Sequence, residues 1–443
     1  MLNHKISRRN LLKAAGFFTI TPWQAQKDLD LSSYPKHSVR FLQSVTSNDS
    51  TLITVLAHRN SEIRISVRLL VSEIAEFRVE KIDMGLGDYL LYQVLVTEMK
   101  PTEQYRLEIF DKTHGKYHSR NFKSLDLSNP SPKIAFMTCS SHRGAGPQKL
   151  MFEKLRKEKP DLILFPGDLV YGNSSLDTVL GRPAKPSEAY AIYCKTFLDL
   201  DFYSEENLVP VFSSWDDHDL AFNNCEHNHP NLSIMAQTFR SFYPADGRVS
   251  GIENGPGISY SFAAFGSRFT FLDVRTYLDK ERKVFLGAEQ FHWATKKVKD
   301  TQGPHFIVSA LQFWNYGKLA ENYQSLAPAE FDRFLSLVKS SPFPTVFLSG
   351  DVHYSQVQKL SEADLSYQSY EISSSAIFSL SARGYGLRTK EKGQLHYYGY
   401  PNFLIFENVS LNDKKVEAKV RCVSEAKDSE FNFPLLVSKK FKN

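Results

Sequence analysis

The sequence predicts an α/β fold: a large mixed domain preceded by a small N-terminal β-sandwich. Two observations carry this. Residues 38–124 break into short runs rich in Val, Ile, Leu and Tyr, separated by polar turns, which is the pattern of a small antiparallel sandwich. Beyond a polar, Pro-containing stretch at 128–133, short apolar runs alternate with helical ones, which is the pattern of an α/β domain.

In the first part the expected strands are 39–45, 52–57, 63–71, 90–96 and 104–110. The segment Met99-Lys100-Pro101-Thr102-Glu103-Gln104-Tyr105 resembles the corner of fibronectin-type-III-like domains, with Met99 and Glu103 departing from the usual Leu and Thr. In the second part the expected strands are 134–138, 162–165, 209–212, 269–272, 306–309 and 346–348. The expected helices are 147–157, 188–198, 232–242, 288–298 and 329–338. The division that follows is 1–26 as a leader, 27–127 as the β-sandwich and 128–443 as the α/β domain.

The 443 residues allow two or three domains at roughly 150 residues each. A hydrophobic fraction of 42% with 23% charged residues excludes a disordered or fibrous chain. No apolar run reaches the roughly 18 residues of a membrane span, so no transmembrane span is expected. The net charge is +5, and Lys5, Arg8, Arg9 and Lys13 lie in the first 26 residues, which hold no acid. The remainder is close to neutral, so nothing points to a nucleic-acid-binding module. Four widely spaced cysteines, Cys139, Cys194, Cys225 and Cys422, do not read as a disulfide framework.

The leader has a character of its own. Ser7-Arg8-Arg9-Asn10-Leu11-Leu12-Lys13 followed by the apolar residues 14–20 resembles a twin-arginine export signal, with Leu11 where Phe is usual. The alternative is a basic amphipathic helix. The export reading implies passage through the twin-arginine (Tat) machinery to the periplasm or the exterior. Trp23-Gln24-Ala25 is not a clean cleavage site, so the segment could stay as an anchor.

The chemistry lies in four loops. Residues 134–138 lead into Cys139-Ser140-Ser141-His142, and 162–166 into Gly167-Asp168-Leu169-Val170-Tyr171. Residues 209–212 lead into Trp215-Asp216-Asp217-His218-Asp219, and 346–349 into Gly350-Asp351-Val352-His353. Open α/β sheets bind ligands beyond the carboxyl ends of their strands, so these loops can converge. Gly-Asp after a strand, or Asp-Val-His, reads alone as an ordinary turn; Trp215-Asp216-Asp217-His218-Asp219 is more specific, because three acids around a His are costly to juxtapose without a counter-ion. Together they gather carboxylates, imidazoles, a thiol and a phenol, and so many acids repel one another unless cations offset them. Two cations a few ångströms apart suit phosphoester hydrolysis.

These stretches resemble the PhoD-type alkaline phosphatase family within the calcineurin-like metallophosphoesterases. The resemblance continues through Leu272-Asp273-Val274-Arg275-Thr276-Tyr277, Leu286-Gly287-Ala288-Glu289-Gln290 with Trp293, and Ser309-Ala310-Leu311-Gln312. It implies an αββα metallophosphoesterase sandwich behind the β-sandwich domain. It implies a ferric ion together with calcium, and the same ligands could also take zinc or manganese. Cys139, Asp168, Tyr171 and His353 look like iron ligands, with Asp168 bridging. Asp217 and Asp351 look like ligands of the second metal, with Asp216 an open alternative to Asp217. Asn223 looks like a ligand or phosphate contact there, with Asn224 as its alternative. His218 looks like a catalytic group beside the leaving oxygen. Arg275 could bind a phosphate oxygen, or instead form a structural salt bridge to Asp273 or Asp279.

The implied substrate is a phosphate mono- or diester, attacked by a metal-held hydroxide or oxide. Two other readings stand beside it: a non-catalytic binding protein with a degenerate hydrolase domain, and a phospholipase-type or purple-acid-type enzyme on the same fold. The intact ligand set argues against the first, and the few histidines near the last motif against a purple-acid site. Tyr193, Phe222 and Tyr354 are candidates to line the entrance or simply to pack. Cys225-Glu226-His227-Asn228-His229 reads as a solvated loop rather than a separate zinc site.

Overall fold

A computed structural model describes residues 29–69, 74–143, 145–173, 181–316, 321–374, 376–379, 392–412, 415–425 and 432–439. The leader at 1–26 lies outside the described residues. Among these, no helix is long and apolar enough to cross a membrane.

Seven strands come first: β1 (Arg40–Thr46), β2 (Thr51–His58), β3 (Ile63–Leu69), β4 (Glu76–Ile82), β5 (Tyr89–Thr97), β6 (Gln104–Asp111) and β7 (Lys116–Lys123). They form two antiparallel sheets, ordered β1-β2-β5-β4 and β3-β6-β7. Val39, Phe41, Ile53, Val55, Val94, Leu107 and Ile109 fill the space between them. The Tyr105 hydroxyl accepts the backbone N–H of Lys100 at 2.8 Å. This is the tyrosine-corner bond that the 99–105 segment suggests. Strands β4 and β7 were not among the expected ones. Both are sheet edges, and their charged sequences, EFRVEKI and KYHSRNFK, hide the apolar alternation while discouraging edge-to-edge pairing.

The second part begins with β8 (Ile134–Phe136), β9 (Thr138–Ser140), helix α1 (Ala145–Glu158) and β10 (Leu162–Phe165). Helix α2 (Pro186–Asp199), a 3-10 turn (Asp201–Ser204), β11 (Val211–Ser213) and α3 (Leu232–Phe242) follow. Next come β12 (Glu253–Asn254), β13 (Tyr260–Ala264), β14 (Ser267–Phe271), α4 (Gly287–Lys299), β15 (His305–Val308), the short α5 (Tyr323–Leu326), α6 (Pro328–Ser340) and β16 (Thr345–Ser349). The chain ends through β17 (Ser355–Lys359), the short α7 (Glu362–Leu365), β18 (Tyr370–Ser373), β19 (Ala376–Phe378), β20 (Gln394–Tyr398), β21 (Asn402–Asn412), β22 (Lys415–Ser424) and β23 (Asn432–Ser438).

Two large sheets result, ordered β11-β10-β8-β21-β22-β23 and β12-β13-β14-β15-β16-β18-β17-β20. Their centres are parallel: β8, β10 and β11 in one, β14, β15, β16 and β18 in the other. Strand alternation then sorts the side chains. Ile134, Phe136, Leu162, Leu164 and Phe212 face the second sheet and join Phe262, Phe269, Phe306 and Val346 in one core. Ala135, Ile163, Phe165 and Val211 face the other way, onto Met151 and Leu155 of α1, Tyr193 and Phe197 of α2, and Phe239 of α3. Helices α4 and α6 cover the outer side of the second sheet through Ala294, Val298, Phe331 and Phe334. The layering is helix, sheet, sheet, helix, as anticipated. Val45 and Leu52 of the sandwich pack into the same core, so burial is continuous between the two parts.

Candidate active site

The loops after β8, β10, β11 and β16 meet at the carboxyl ends of these strands. Cys139 does not follow the first strand directly. The chain breaks at Met137, and Cys139 sits in the two-stranded parallel pair of β9 with β19. Cys139, Asp168, Asp351 and His353 all have left-handed backbone, with φ of 57°, 56°, 65° and 51°. For residues with a Cβ this conformation is disfavoured, and its repetition at four residues of three convergent loops marks strain held by the surrounding fold. Gly167 makes the turn before Asp168 at φ +146°. A Cβ there would stand 2.9 Å from the Cβ atoms of both Ala310 and Asp216.

Two sets of ligand-type atoms gather here, each within 4.8 Å of one another: Cys139, Asp168 and His353, and Asp168, Asp217 and His218. Asp168 belongs to both. The Cys139 Sγ lies 3.6 Å from Asp168 Oδ2, and the Tyr171 hydroxyl lies 3.1 Å from His353 Nε2. The Tyr171 and His218 rings stack with centroids 4.2 Å apart. Asp351 stands outside these two sets, but its charge bears on Asp216 and Asp217.

The electrostatics are those of uncompensated anions. Burial and the neighbouring carboxylates push Asp168 and Asp351 well above the usual carboxylate range. Burial with Asp168 nearby raises the Cys139 thiol, and burial with Cys139 nearby raises the Tyr171 phenol. Asp216 is pushed up by burial to about 7, although Arg275 pulls it down. Burial alone would raise Asp217 too, but His218, Arg275 and the N–H groups of Asn224 and His218 hold it low. Burial lowers His218, and it lowers His353 to about 4. Hard and borderline cations are the natural counter-charge for such oxygen, nitrogen and sulfur donors, so the residues present fit a metal pair.

Arg275 is 0% exposed. Its Nε donates to Asp216 and its Nη1 to Glu321 at 2.8 Å and to the Cys225 carbonyl at 3.1 Å. Among the described residues Nη2 has no hydrogen-bond partner, and it lies 3.9 Å from Asp217 Oδ1. Its side-chain ion pairs are therefore with Asp216, Asp217 and Glu321, not with Asp273 or Asp279. Asp273 instead takes N–H groups from Trp215, Ile258, Arg275 and Thr276, and its own backbone pairs with the Gln290 amide. These motif residues hold the scaffold under the loops. Asn223 is exposed, while Asn224 enters through its backbone N–H, 2.5 Å from Asp217 Oδ2.

Sequence reasoning left out three contributors. Asp219 is buried, and its carboxylate accepts the backbone N–H groups of Asp168, Val170 and Asp216. Asn173 places its Oδ1 3.1 Å from His218 Nδ1. Ser379, just past β19, lies 3.4 Å from His353 Nδ1. Asp219 closed a motif already singled out, whereas no local pattern marked Asn173 or Ser379. Among the entrance candidates, Tyr193 and Tyr354 are buried, and Tyr193 donates to the Asp219 carbonyl. A third set, Glu226, His227 and Asp279, gathers at the surface. There Glu226 already accepts the Lys280 N–H, and Asp279 the Arg282 N–H. All four cysteines are buried.

The comparisons with known proteins agree with this geometry. No curated protein sequence matches the chain. A solved structure described as "Structure of PhoD" superposes with a TM-score of 0.70 at 16% sequence identity, covering 91% of this chain and 93% of that one. The family model for PhoD-like phosphatases matches residues 134–398, the span holding every loop described above. The chain belongs to the PhoD-like phosphatase family, and it is a phosphoester hydrolase.

Proposed function

We propose that the protein is an exported, metal-dependent phosphatase or phosphodiesterase acting on phosphate mono- or diesters. The β-sandwich (27–127) serves as an accessory unit and 128–443 as the catalytic one. The observation that carries the site is Asp168, shared by the Cys139/His353 set and the Asp217/His218 set. In this reading Cys139, Asp168, Tyr171 and His353 hold one cation. Asp168, Asp217 and Asp351 would hold the other, with Asn223, on the exposed rim beside them, as a further candidate ligand or phosphate contact. Asp217 is favoured over Asp216 because Asp216 is engaged by Arg275. A thiolate and a phenolate suit a trivalent ion such as ferric iron, and an all-oxygen partner site suits calcium. Bound cations supply charge for the phosphoryl oxygens and lower the pKa of a water.

The chain's own residues do the rest. Asn173 accepts the proton on His218 Nδ1, which leaves Nε2 as the working nitrogen, and Tyr171 fixes the ring plane by stacking. His218 is kept neutral by burial, so it can take or relay a proton near the leaving oxygen. Arg275 is assigned to phosphate charge through Nη2, acting from beneath Asp217 while it positions Asp216. The leader resembling a twin-arginine signal supports export through the Tat machinery to the periplasm or exterior.

The test is elemental analysis of protein purified without added metal, combined with hydrolysis of 4-nitrophenyl phosphate and bis(4-nitrophenyl) phosphate. Iron with calcium in wild type, and loss of both cations and of hydrolysis in Asp168→Ala, are expected. Hydrolysis unchanged in a folded Asp168→Ala protein would overturn the site.

A further inference from the structure

One cavity among the described residues lies away from the loops. A cleft of about 410 Å³ opens between strands β1 and β7 of the sandwich and helix α1 with the 3-10 turn. That volume lies within the range of small-molecule sites, which favour domain interfaces. Its position separates it from the candidate active site. Pro160 and Ile163 line it at the start of β10 and Val209 lines it before β11, whereas the candidate metal ligands follow the far ends of these strands.

The lining has two characters. Phe122, Phe152, Leu155 and Phe202 give it an apolar body. Lys123, Arg156 and Lys159 give it a basic rim against a single acid, Glu205. Glu205 neutralises Arg156 at 2.9 Å, and Lys123 lies 3.7 Å from Asp161. Lys159 is exposed and makes no side-chain ion pair among the described residues. In the wall, Gln43 is 1% exposed, and its side-chain amide donates to the Lys123 carbonyl at 2.8 Å, which ties β1 to β7 behind the cleft.

We propose that this cleft binds a single-chain anionic amphiphile, a long-chain carboxylate by chemical type, with its tail along Phe122, Phe152 and Leu155 and its head at Lys159. The leader of this chain is the wrong occupant, because its four cations and no acids would face a basic rim. The tail supplies affinity by burying apolar surface, and the rim charge selects the sign of the head.

The experiment titrates the full-length protein calorimetrically at low ionic strength with dodecanoate below its micellar concentration, and with dodecyltrimethylammonium as the same tail carrying the opposite charge. Saturable one-site binding of dodecanoate is expected, with dodecyltrimethylammonium much weaker. Lys159→Glu lies on the surface and outside the active site. It is expected to weaken dodecanoate about tenfold or more while leaving ester hydrolysis unchanged. Lys299→Glu, on the far side of the molecule, is expected to leave both unchanged. Equal binding of the two amphiphiles, equal binding of dodecanoate to wild type and Lys159→Glu, or no saturable binding to folded protein would each overturn the proposal.

Discussion

The Asp219 carboxylate accepts the backbone N–H of Asp168 at 2.7 Å, which ties the loop after β10 to the loop after β11. The same carboxylate takes Val170 N–H and Asp216 N–H, each at 2.8 Å. Three N–H groups on one buried carboxylate fix the spacing of two loops that must present ligands to one site. Asp219 therefore acts by positioning and need touch neither substrate nor cation.

The first prediction concerns this clamp. Asp219→Ala leaves three buried N–H groups without acceptors and frees the two loops to drift. Loss of an outer-sphere partner of this kind typically costs about 10–100-fold in metal affinity or activity. Asp219→Asn, which keeps one acceptor oxygen, is expected to recover part of it. Metal content after dialysis against a graded chelator series measures the effect directly. Wild-type retention in Asp219→Ala would remove the positioning role.

A second prediction follows from Arg275, whose guanidinium is enclosed by Asp216, Glu321 and the Cys225 carbonyl. Removing one partner of a buried ion pair leaves uncompensated charge and costs about 3–5 kcal/mol. Arg275→Ala is expected to lose that much in urea unfolding. Arg275→Lys keeps the charge but cannot reproduce the forked contacts, so it should fold and hydrolyse poorly. A fully active Arg275→Lys enzyme would reduce Arg275 to a mere counter-charge.

The third prediction tests the turn before Asp168. Gly167 has φ +146° and no room for a methyl between Ala310 and Asp216. Gly167→Ala combines a disfavoured backbone with steric overlap, so a loss of about 2–4 kcal/mol is expected. Asp168 and Asp216 adjoin the displaced backbone, so hydrolysis should fall further than stability alone explains. Thermal unfolding and specific activity of the folded fraction separate the two effects.

How much of this was legible beforehand depended on locality. The loop motifs at Asp168, Asp217, Asp351 and His353 each follow a buried strand, and strand periodicity with the Asp and His that end it is local information. The parallel core strands were legible for the same reason, being short continuous apolar runs. The segments after Tyr354 were not. Strands β17 to β23 mix apolar with polar residues, as in Lys415–Ser424, whose buried and half-buried positions alternate. The places of β21 and β19 are decided by β8 and β9, more than 200 positions earlier, while β21, β22 and β23 pair as sequence neighbours. Ser379 reaches the site through that long-range packing, whereas Asn173 stands in the loop after β10, two residues beyond Tyr171, and only the fold shows that it meets His218. Arg275 shows the converse: its place in a motif was visible, but its enclosure by Asp216 and Glu321 needed the fold.

The last prediction is a pH dependence set away from the site. His305 opens β15, is 1% exposed, and lies with its Nε2 2.8 Å from the Thr270 hydroxyl. Burial lowers its pKa from 6.5 to about 3, with the Arg268 charge acting in the same direction. The folded chain therefore keeps His305 neutral while the unfolded chain takes up a proton below about pH 6.5. The stability held by the neutral form is fully present above that pH and is lost progressively as pH falls towards 3. The slope is about 1.4 kcal/mol per pH unit for each such proton. His305→Gln keeps a polar group beside Thr270 and cannot titrate, so its stability should fall less steeply between pH 6 and pH 4 by about that amount. Urea unfolding midpoints measured across this window provide the comparison. Parallel profiles for the two proteins would mean that His305 is protonated in the folded state or hydrated in a way its burial does not allow.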